Sequence, residues 1–98
     1  MQRCSVFLIG LAAAVLLLSH AQAQTMNPDT DRRMQDDRQF ELPSDKQRPR
    51  FCLDACIHDA FCRAWTFSTD SGLGAVCSLG NQRVEPRSSR CCTSGNVQ

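Results

Sequence analysis

The chain has 98 residues, with eleven Lys and Arg against ten Asp and Glu and a formal net charge of +1 at pH 7. This length has room for one domain, and the balanced charge excludes the dense basic surface with which many proteins bind nucleic acid. The seven cysteines stand out, since a small domain with a modest hydrophobic core commonly depends on covalent cross-links.

The first 23 residues have the pattern of a secretory signal peptide. Arg3 precedes an uncharged apolar run over residues 6–18, which is too short to cross a bilayer comfortably as a helix. Residues 21–23, Ala-Gln-Ala, follow as a signal-peptidase site. We expect cleavage after Ala23, which would leave six cysteines and no membrane span in the mature chain, and we expect this chain to be secreted or periplasmic and able to form disulfides.

Residues 24–38 are expected to form a flexible arm, because they are polar and charged and offer little apolar surface for burial. The domain itself is predicted over residues 39–98. Its first element is a short strand over residues 39–42, where Phe40 and Leu42 alternate with polar neighbours.

The main helix is predicted to begin between Ser44, a possible cap, and Pro49, which a helix tolerates only in its first turn. The apolar spacing then places Cys52 and Cys56 on one broad face of the helix and continues as far as Ala60.

The spacing changes to a period of two over residues 62–67, which is typical of a strand. Its two faces carry Cys62, Ala64 and Thr66 on one side, and Arg63, Trp65 and Phe67 on the other. Since the first face has the smaller side chains, we expect the helix to lie close against it. Residues 68–74 are predicted to form a loop, residues 75–79 a strand, residues 80–90 a second loop, and residues 91–94 a last short strand.

Six cysteines allow fifteen pairings, and the sequence alone does not choose among them. Cys91 and Cys92 are neighbours, and a trans peptide holds their Cα atoms about 3.8 Å apart, below the usual disulfide range of about 4.4–6.8 Å. A bond between them requires strain, so we expect separate partners or one unpaired thiol. Cys52 and Cys56 lie one helical turn apart and reach a neighbouring layer better than they reach each other.

Other uses of the cysteines are less well supported. A thioredoxin-like redox site needs Cys-x-x-Cys, which is absent from the sequence. A zinc site would draw on Cys52, Cys56 and His58, but an exported cysteine-rich chain favours disulfides. His58 is also the only mature histidine, and we place it on the outer face of the helix. We therefore predict no catalytic residue, no metal site and no cofactor.

Across residues 39–97 the cysteines and their neighbours follow one order: Cys-x3-Cys, an Asp, Cys-Arg-Ala-Trp-Thr-Phe, a gapped loop, Cys-Ser-Leu, and finally Cys-Cys-x-Ser-Gly. The positions that carry this pattern are Cys52, Cys56, Asp59, Cys62, Arg63, Ala64, Trp65, Thr66, Phe67, Cys77, Leu79, Cys91, Cys92, Ser94 and Gly95. The order resembles the PAN/apple domain family, most of all its short bacterial form. The resemblance implies an α+β fold in which a small, disulfide-stapled antiparallel sheet curls around one helix.

Carried over by position, the resemblance implies that Cys52 pairs with Cys77 and that Cys56 pairs with Cys62. The amino-terminal cysteine of full apple domains is missing here. The partners of Cys91 and Cys92 therefore stay open.

The resemblance also implies a non-catalytic module that binds proteins or carbohydrates. We expect an exported binding module at the cell envelope or outside the cell, with a protein or glycan as its partner. A basic rim beside an aromatic side chain suits anionic sugars or acidic protein surfaces. The predicted contact residues are Arg63, Trp65, Arg83, Arg87 and Arg90. For Trp65 the rival interpretation is a place in the core, since a lone Trp in a small domain is usually needed for packing.

Two alternatives come from other functional classes. The first is a disulfide-rich inhibitor or toxin-like peptide that blocks an enzyme or receptor, and it predicts a rigid exposed loop at residues 68–74 or 80–90. The second is a thiol–disulfide protein that uses Cys91 and Cys92, and it predicts a labile bond at these cysteines.

Overall fold

The computed structural model describes residues 25–70, 72 and 74–97, so the predicted signal peptide lies outside the described residues. The elements in chain order are β1 (Asn27–Asp31), β2 (Arg38–Glu41), a 3-10 turn (Ser44–Lys46), α1 (Pro49–Ile57), β3 (Ala64–Ser68), β4 (Val76–Gly80) and β5 (Arg87–Asn96). Pro49 is the first residue of α1, as its restricted backbone predicts.

The strands form one sheet in the order β1-β5-β3-β4-β2, and every neighbouring pair is antiparallel. The strand predicted from the change of period, β3, lies at the centre, while β1 and β2 are the edges. The helix α1 packs on one face of this sheet and contacts β3, β4 and β5. The predicted α+β fold, a disulfide-stapled antiparallel sheet with one helix, is confirmed.

The core lies between α1 and the sheet. On β3, Trp65 is opposite Leu79 of β4 and Phe67 is opposite Cys77, so these side chains point to one face, and all four are buried. They share one cluster with Cys52 and Cys56 of the helix. The expectation that the helix packs on the face of small side chains is therefore wrong, because the large apolar side chains of β3 gain most from being covered.

Two disulfides connect the helix to the rest of the core. Cys52 is joined to Cys77 and Cys56 to Cys62, with Cα atoms 5.5 Å and 5.2 Å apart. All four cysteines are at most 1% exposed. These are the pairs that the resemblance implies.

Cys91 and Cys92 are joined to each other, with their Cα atoms 3.7 Å apart. The expectation of separate partners or an unpaired thiol is wrong for the described part of the chain. The physical reason is that the other four described cysteines are already paired inside the core, which leaves these two with no other partner in reach.

The segment predicted as a flexible arm, residues 24–38, is ordered from Thr25 onward. Residues 27–31 form the edge strand β1. Thr25 donates its backbone N–H to the Asn96 carbonyl at 3.0 Å, and the hydroxyl groups of Thr30 and Ser94 lie 2.7 Å apart. The amino-acid composition does not predict this strand, because the segment is held by hydrogen bonds between polar groups and buries little apolar surface.

The chain after β1 covers the sheet face opposite the helix. The backbone N–H of Arg32 donates to the Thr66 hydroxyl, and that hydroxyl lies 3.2 Å from the Arg32 carbonyl oxygen, to which it donates. The Met34 side chain lies against Gly80, where a Cβ would come within 2.6 Å of its sulfur. The small side chains of β3 therefore accommodate a crossing backbone instead of the helix.

Gly95 leaves space for the amino-terminal segment. A Cβ at this position would collide with the carbonyl oxygen of Thr25 and would lie 2.8 Å from Trp65 Nε1. We expect Gly95→Ala to lower the free energy of unfolding by about 1–3 kcal/mol, because backbone has to move to relieve the overlap. Denaturant unfolding of the mature protein measures the change.

The control for this prediction is a chain that starts at Asn27. Without Thr25 the main source of the overlap is gone, so Gly95→Ala should lose much of its effect in the shortened chain. An equal loss of stability in both chains would contradict the proposed clash.

Candidate functional site

The predicted contact residue Trp65 is buried, with 0% of its surface exposed, and its indole Nε1 has no hydrogen-bond partner among the described residues. It lies in the core beneath α1 because β3 turns its aromatic side chains toward the helix. A surface contact through Trp65 does not fit the structure, and a basic rim beside an exposed Trp65 is therefore not formed.

The four predicted arginines are exposed but belong to two parts of the fold. Arg63 precedes β3, and its backbone N–H donates to the Gly80 carbonyl at 2.7 Å. Arg83 lies in the loop over residues 81–86, and Arg87 and Arg90 lie on β5. Arg87 forms an ion pair of 3.8 Å with Asp31. These side chains are accessible to a partner, and their role as contact residues stays a prediction.

An aromatic side chain that the sequence reasoning did not select, Phe61, is 72% exposed. It is the most exposed of the large apolar side chains in the described part of the chain. Phe61 lies in the segment between Cys56 and Cys62, which we call the Phe61 loop (residues 57–61). The signal available in the sequence was its place between a helix and a strand, where no periodic pattern assigns an aromatic residue to the core.

Asp59 orders the Phe61 loop. One carboxylate oxygen accepts the backbone N–H of Phe61 at 2.9 Å, and the other pairs with the Arg38 guanidinium of β2 at 2.8 Å. The backbone of Asp59 forms two further hydrogen bonds. Its N–H donates to the Cys56 carbonyl, and its carbonyl accepts the N–H of Cys62. With the Cys56–Cys62 disulfide, these bonds fix the backbone that presents Phe61.

The same contacts shift the pKa of the Asp59 carboxyl group. The N–H of Phe61 and, to a smaller extent, Arg38 lower the pKa of this carboxyl group below its ordinary value. We expect NMR titration to place the Asp59 pKa below about 3.9, the usual value for Asp. Because the pKa of Asp59 is lower in the folded than in the unfolded chain, its carboxylate stabilises the fold. This contribution is fully present above the unfolded pKa and is lost as the pH falls through the folded pKa.

Arg38→Gln separates the two causes. The Asp59 pKa should rise only part of the way to its ordinary value, because the Phe61 N–H remains as the larger cause. A wild-type carboxyl group that titrates at the ordinary value would contradict the ordered loop.

A polar cleft of about 360 Å³ opens on the sheet face opposite the helix. Its lining includes hydroxyl, carboxylate and guanidinium groups as well as the Cys91–Cys92 disulfide. Two pairs of neighbours are fixed by hydrogen bonds of 2.8 Å, from Ser68 to Asp70 and from Gln39 to Asp37. The lining residues are Asp31, Arg32, Arg33, Met34, Asp37, Gln39, Thr66, Ser68, Asp70, Ser78, Cys91 and Cys92.

Within residues 25–70, 72 and 74–97, no group of three or more His, Cys, Asp or Glu residues is arranged to hold a metal ion. None of the helical segments in the same residues combines the length and apolar character that crossing a bilayer requires.

No family model matches the chain, and comparisons with curated proteins and with solved structures find no match either.

Proposed function

We propose that this chain is an exported, non-catalytic binding module that recognises a protein or a carbohydrate at the cell envelope or outside the cell. The resemblance to PAN/apple domains motivates this proposal. The observation that carries it is the exposed Phe61 on a disulfide-closed loop.

An exposed aromatic residue contributes most to binding when its position is fixed beforehand. Aromatic side chains bury a large apolar area for few rotatable bonds, and they are enriched among the residues that dominate binding energy. The Phe61 backbone is already ordered by Asp59 and by the Cys56–Cys62 disulfide. The conformational entropy lost on binding is therefore small compared with that of a flexible loop.

The surroundings of Phe61 suit a partner with mixed chemistry. Ile57, 39% exposed, adds apolar surface at the start of the Phe61 loop. Arg63 follows two residues after Phe61 and is exposed. An aromatic with a nearby guanidinium supports binding to an acidic protein surface or an anionic glycan.

The disulfides support an oxidising location. Three cysteine pairs in a small domain are compatible with an extracellular or periplasmic protein, because such cross-links are rare in reducing compartments. A secreted or periplasmic location is part of the proposal.

The test compares two variants that each shorten one exposed apolar side chain. The mature protein, Phe61→Ala and Met26→Ala are applied to a glycan array and to immobilised envelope proteins at low and moderate salt. Met26 is 42% exposed and lies outside the Phe61 loop. We expect Phe61→Ala to weaken saturable binding about tenfold or more and Met26→Ala to change it about twofold or less.

The outcome also identifies the class of ligand. Binding to the glycan array alone indicates a carbohydrate ligand, and binding to the immobilised envelope proteins alone indicates a protein ligand. No saturable binding in either experiment, or equal losses in both variants, would contradict the proposal.

A disulfide-rich inhibitor is the second candidate, and the Phe61 loop favours it as well, since a rigid loop with an exposed aromatic can occupy an enzyme cleft. The second of the two loops predicted for this role is shorter than expected. Residues 87–90 belong to β5, so the second loop is limited to residues 81–86. A panel of secreted hydrolases assayed with the mature protein distinguishes inhibition from binding alone.

A further inference from the structure

The Cys91–Cys92 disulfide lies in a bulge of β5. The register pairs Pro28 of β1 with Thr93 and then Thr30 with Ser88. Four residues of β5, Ser89 to Cys92, are thus opposite the single residue Asp29 of β1. Bulges locally interrupt the ladder and turn side chains in a new direction. In this case the bulge brings both cysteines to the wall of the polar cleft.

This disulfide differs from the other two in its access to solvent. Cys52, Cys56, Cys62 and Cys77 are at most 1% exposed and lie in the core between α1 and the sheet. Cys91 is half-buried, Cys92 is 7% exposed, and both line the open cleft. An attacking thiolate needs direct access to a sulfur atom, so only this pair can be reached in the folded protein among the described disulfides.

A hydroxyl group lies next to the more exposed sulfur. Ser89 Oγ donates a hydrogen bond to Cys91 Sγ at 3.1 Å. A donor in this place stabilises negative charge on Cys91 when the sulfur becomes a thiolate. The surroundings of the two cysteines therefore differ, and we expect Cys91 and Cys92 to have different roles in an exchange reaction.

We propose that Cys91–Cys92 is a thiol–disulfide exchange site whose substrates are dithiols that enter the cleft. In the first step a substrate thiolate attacks Cys91 Sγ, the bond between the two cysteines breaks, and Cys92 leaves as a thiolate that takes a proton from water. The product of this step is a mixed disulfide at Cys91.

In the second step the other thiol of the substrate, as its thiolate, attacks the substrate sulfur of the mixed disulfide. Cys91 leaves as a thiolate, which the Ser89 hydroxyl stabilises, and it is then protonated. The substrate is oxidised to its own disulfide, and the two cysteines receive its two electrons and two protons. The reaction runs in reverse when a more oxidising disulfide enters the cleft. This activity is independent of the proposed binding role of Phe61.

The experiment uses dithiothreitol as a small dithiol and reduced thioredoxin as a protein dithiol, both without denaturant. Free thiols are alkylated at successive times and located by peptide mapping. We expect Cys91 and Cys92 to be labelled about tenfold or more faster than the other four cysteines with at least one of the two dithiols. The faster dithiol shows whether the cleft accepts a small molecule or a protein loop.

Two serine variants test the second step. Ser89→Ala should slow the release of Cys91 about threefold or more and increase the mixed disulfide trapped there, while Ser88→Ala, one residue earlier on the same strand, should leave both unchanged. Reduction of all three disulfides at one rate, or a mixed disulfide at Cys92 instead of Cys91, would overturn the proposal.

Discussion

Replacing Cys52 and Cys77 together with alanine should lower the free energy of unfolding by about 3–5 kcal/mol, the upper part of the range of about 2–5 kcal/mol found when a native disulfide is removed from a small domain. The two cysteines are separated by 25 residues in sequence, and this bond connects α1 to β4. In the chain-entropy view, closing a loop of that length restricts the unfolded chain by about 3.5 kcal/mol. Both sulfur atoms are also fully buried, so their removal adds a packing loss.

The matched control is the double variant Cys91→Ala with Cys92→Ala. These residues are adjacent, so their disulfide closes no appreciable loop, and its removal should change the stability by less than about 1 kcal/mol. Thermal or denaturant unfolding of both variants gives the comparison. Similar losses in the two variants would show that loop closure is not the source of the stability.

The central unit of the fold follows from the sequence because its signals are local. Pro49 permits a helix start and blocks a helix interior, and α1 begins at that residue. The change from helical spacing to a period of two places a strand near residues 62–67, and β3 is Ala64–Ser68. The prediction of which face of β3 the helix covers was wrong. Cys62 and Arg63 precede the strand, and the large side chains of Trp65 and Phe67 decide which face is covered.

The amino-terminal segment and the last strand depend on contacts between distant residues. β5 runs over Arg87–Asn96, far longer than the predicted strand over residues 91–94, because it has neighbours on both sides. One of these neighbours, β1, is stabilised by polar contacts that reach across about sixty residues of sequence, such as Thr30 with Ser94. A hydrophobic pattern contains no trace of such pairs.

The candidate sites were predictable to different degrees. Cys91 and Cys92 stand out in sequence, but their bond to each other follows only after the fold has paired the other cysteines. Trp65 was selected as an aromatic and lies in the core, whereas Phe61 is the most exposed aromatic among the described residues. The difference arises from the strand alternation, which turns Trp65 inward, and from the disulfide loop, which leaves Phe61 outside any layer.

The polar contacts of the amino-terminal segment are concentrated on Arg32, which is 4% exposed. Its guanidinium donates to the Val84 carbonyl at 3.0 Å, to the Ser94 hydroxyl at 2.7 Å and to the Asn27 side-chain oxygen at 3.0 Å. The group thereby connects β1, β5 and the loop over residues 81–86. Burial lowers the pKa of Arg32, which shows that desolvation opposes part of this gain, and Glu85 acts in the opposite direction.

Arg32→Ala should therefore lower the free energy of unfolding by about 2–4 kcal/mol, since a hydrogen bond from a charged group contributes about 1.5–3 kcal/mol net and the burial of the guanidinium offsets part of the sum. Arg32→Lys should recover little of this loss, because one ammonium group cannot reproduce the planar fork that reaches three acceptors. The neighbouring Arg33 is exposed, and Arg33→Ala should change the stability by about 0.5 kcal/mol or less.

Hydrogen exchange locates the effect of Arg32→Ala within the fold. If Arg32 holds the amino-terminal segment on the sheet, the amides that pair β1 with β5 should lose protection while those between β3 and β4 keep theirs. Uniform loss of protection would instead mean that Arg32 supports the whole domain. A stability change no larger than that of Arg33→Ala would show that the buried guanidinium gains nothing over a solvated one, and the ordering of residues 25–34 would then need another cause.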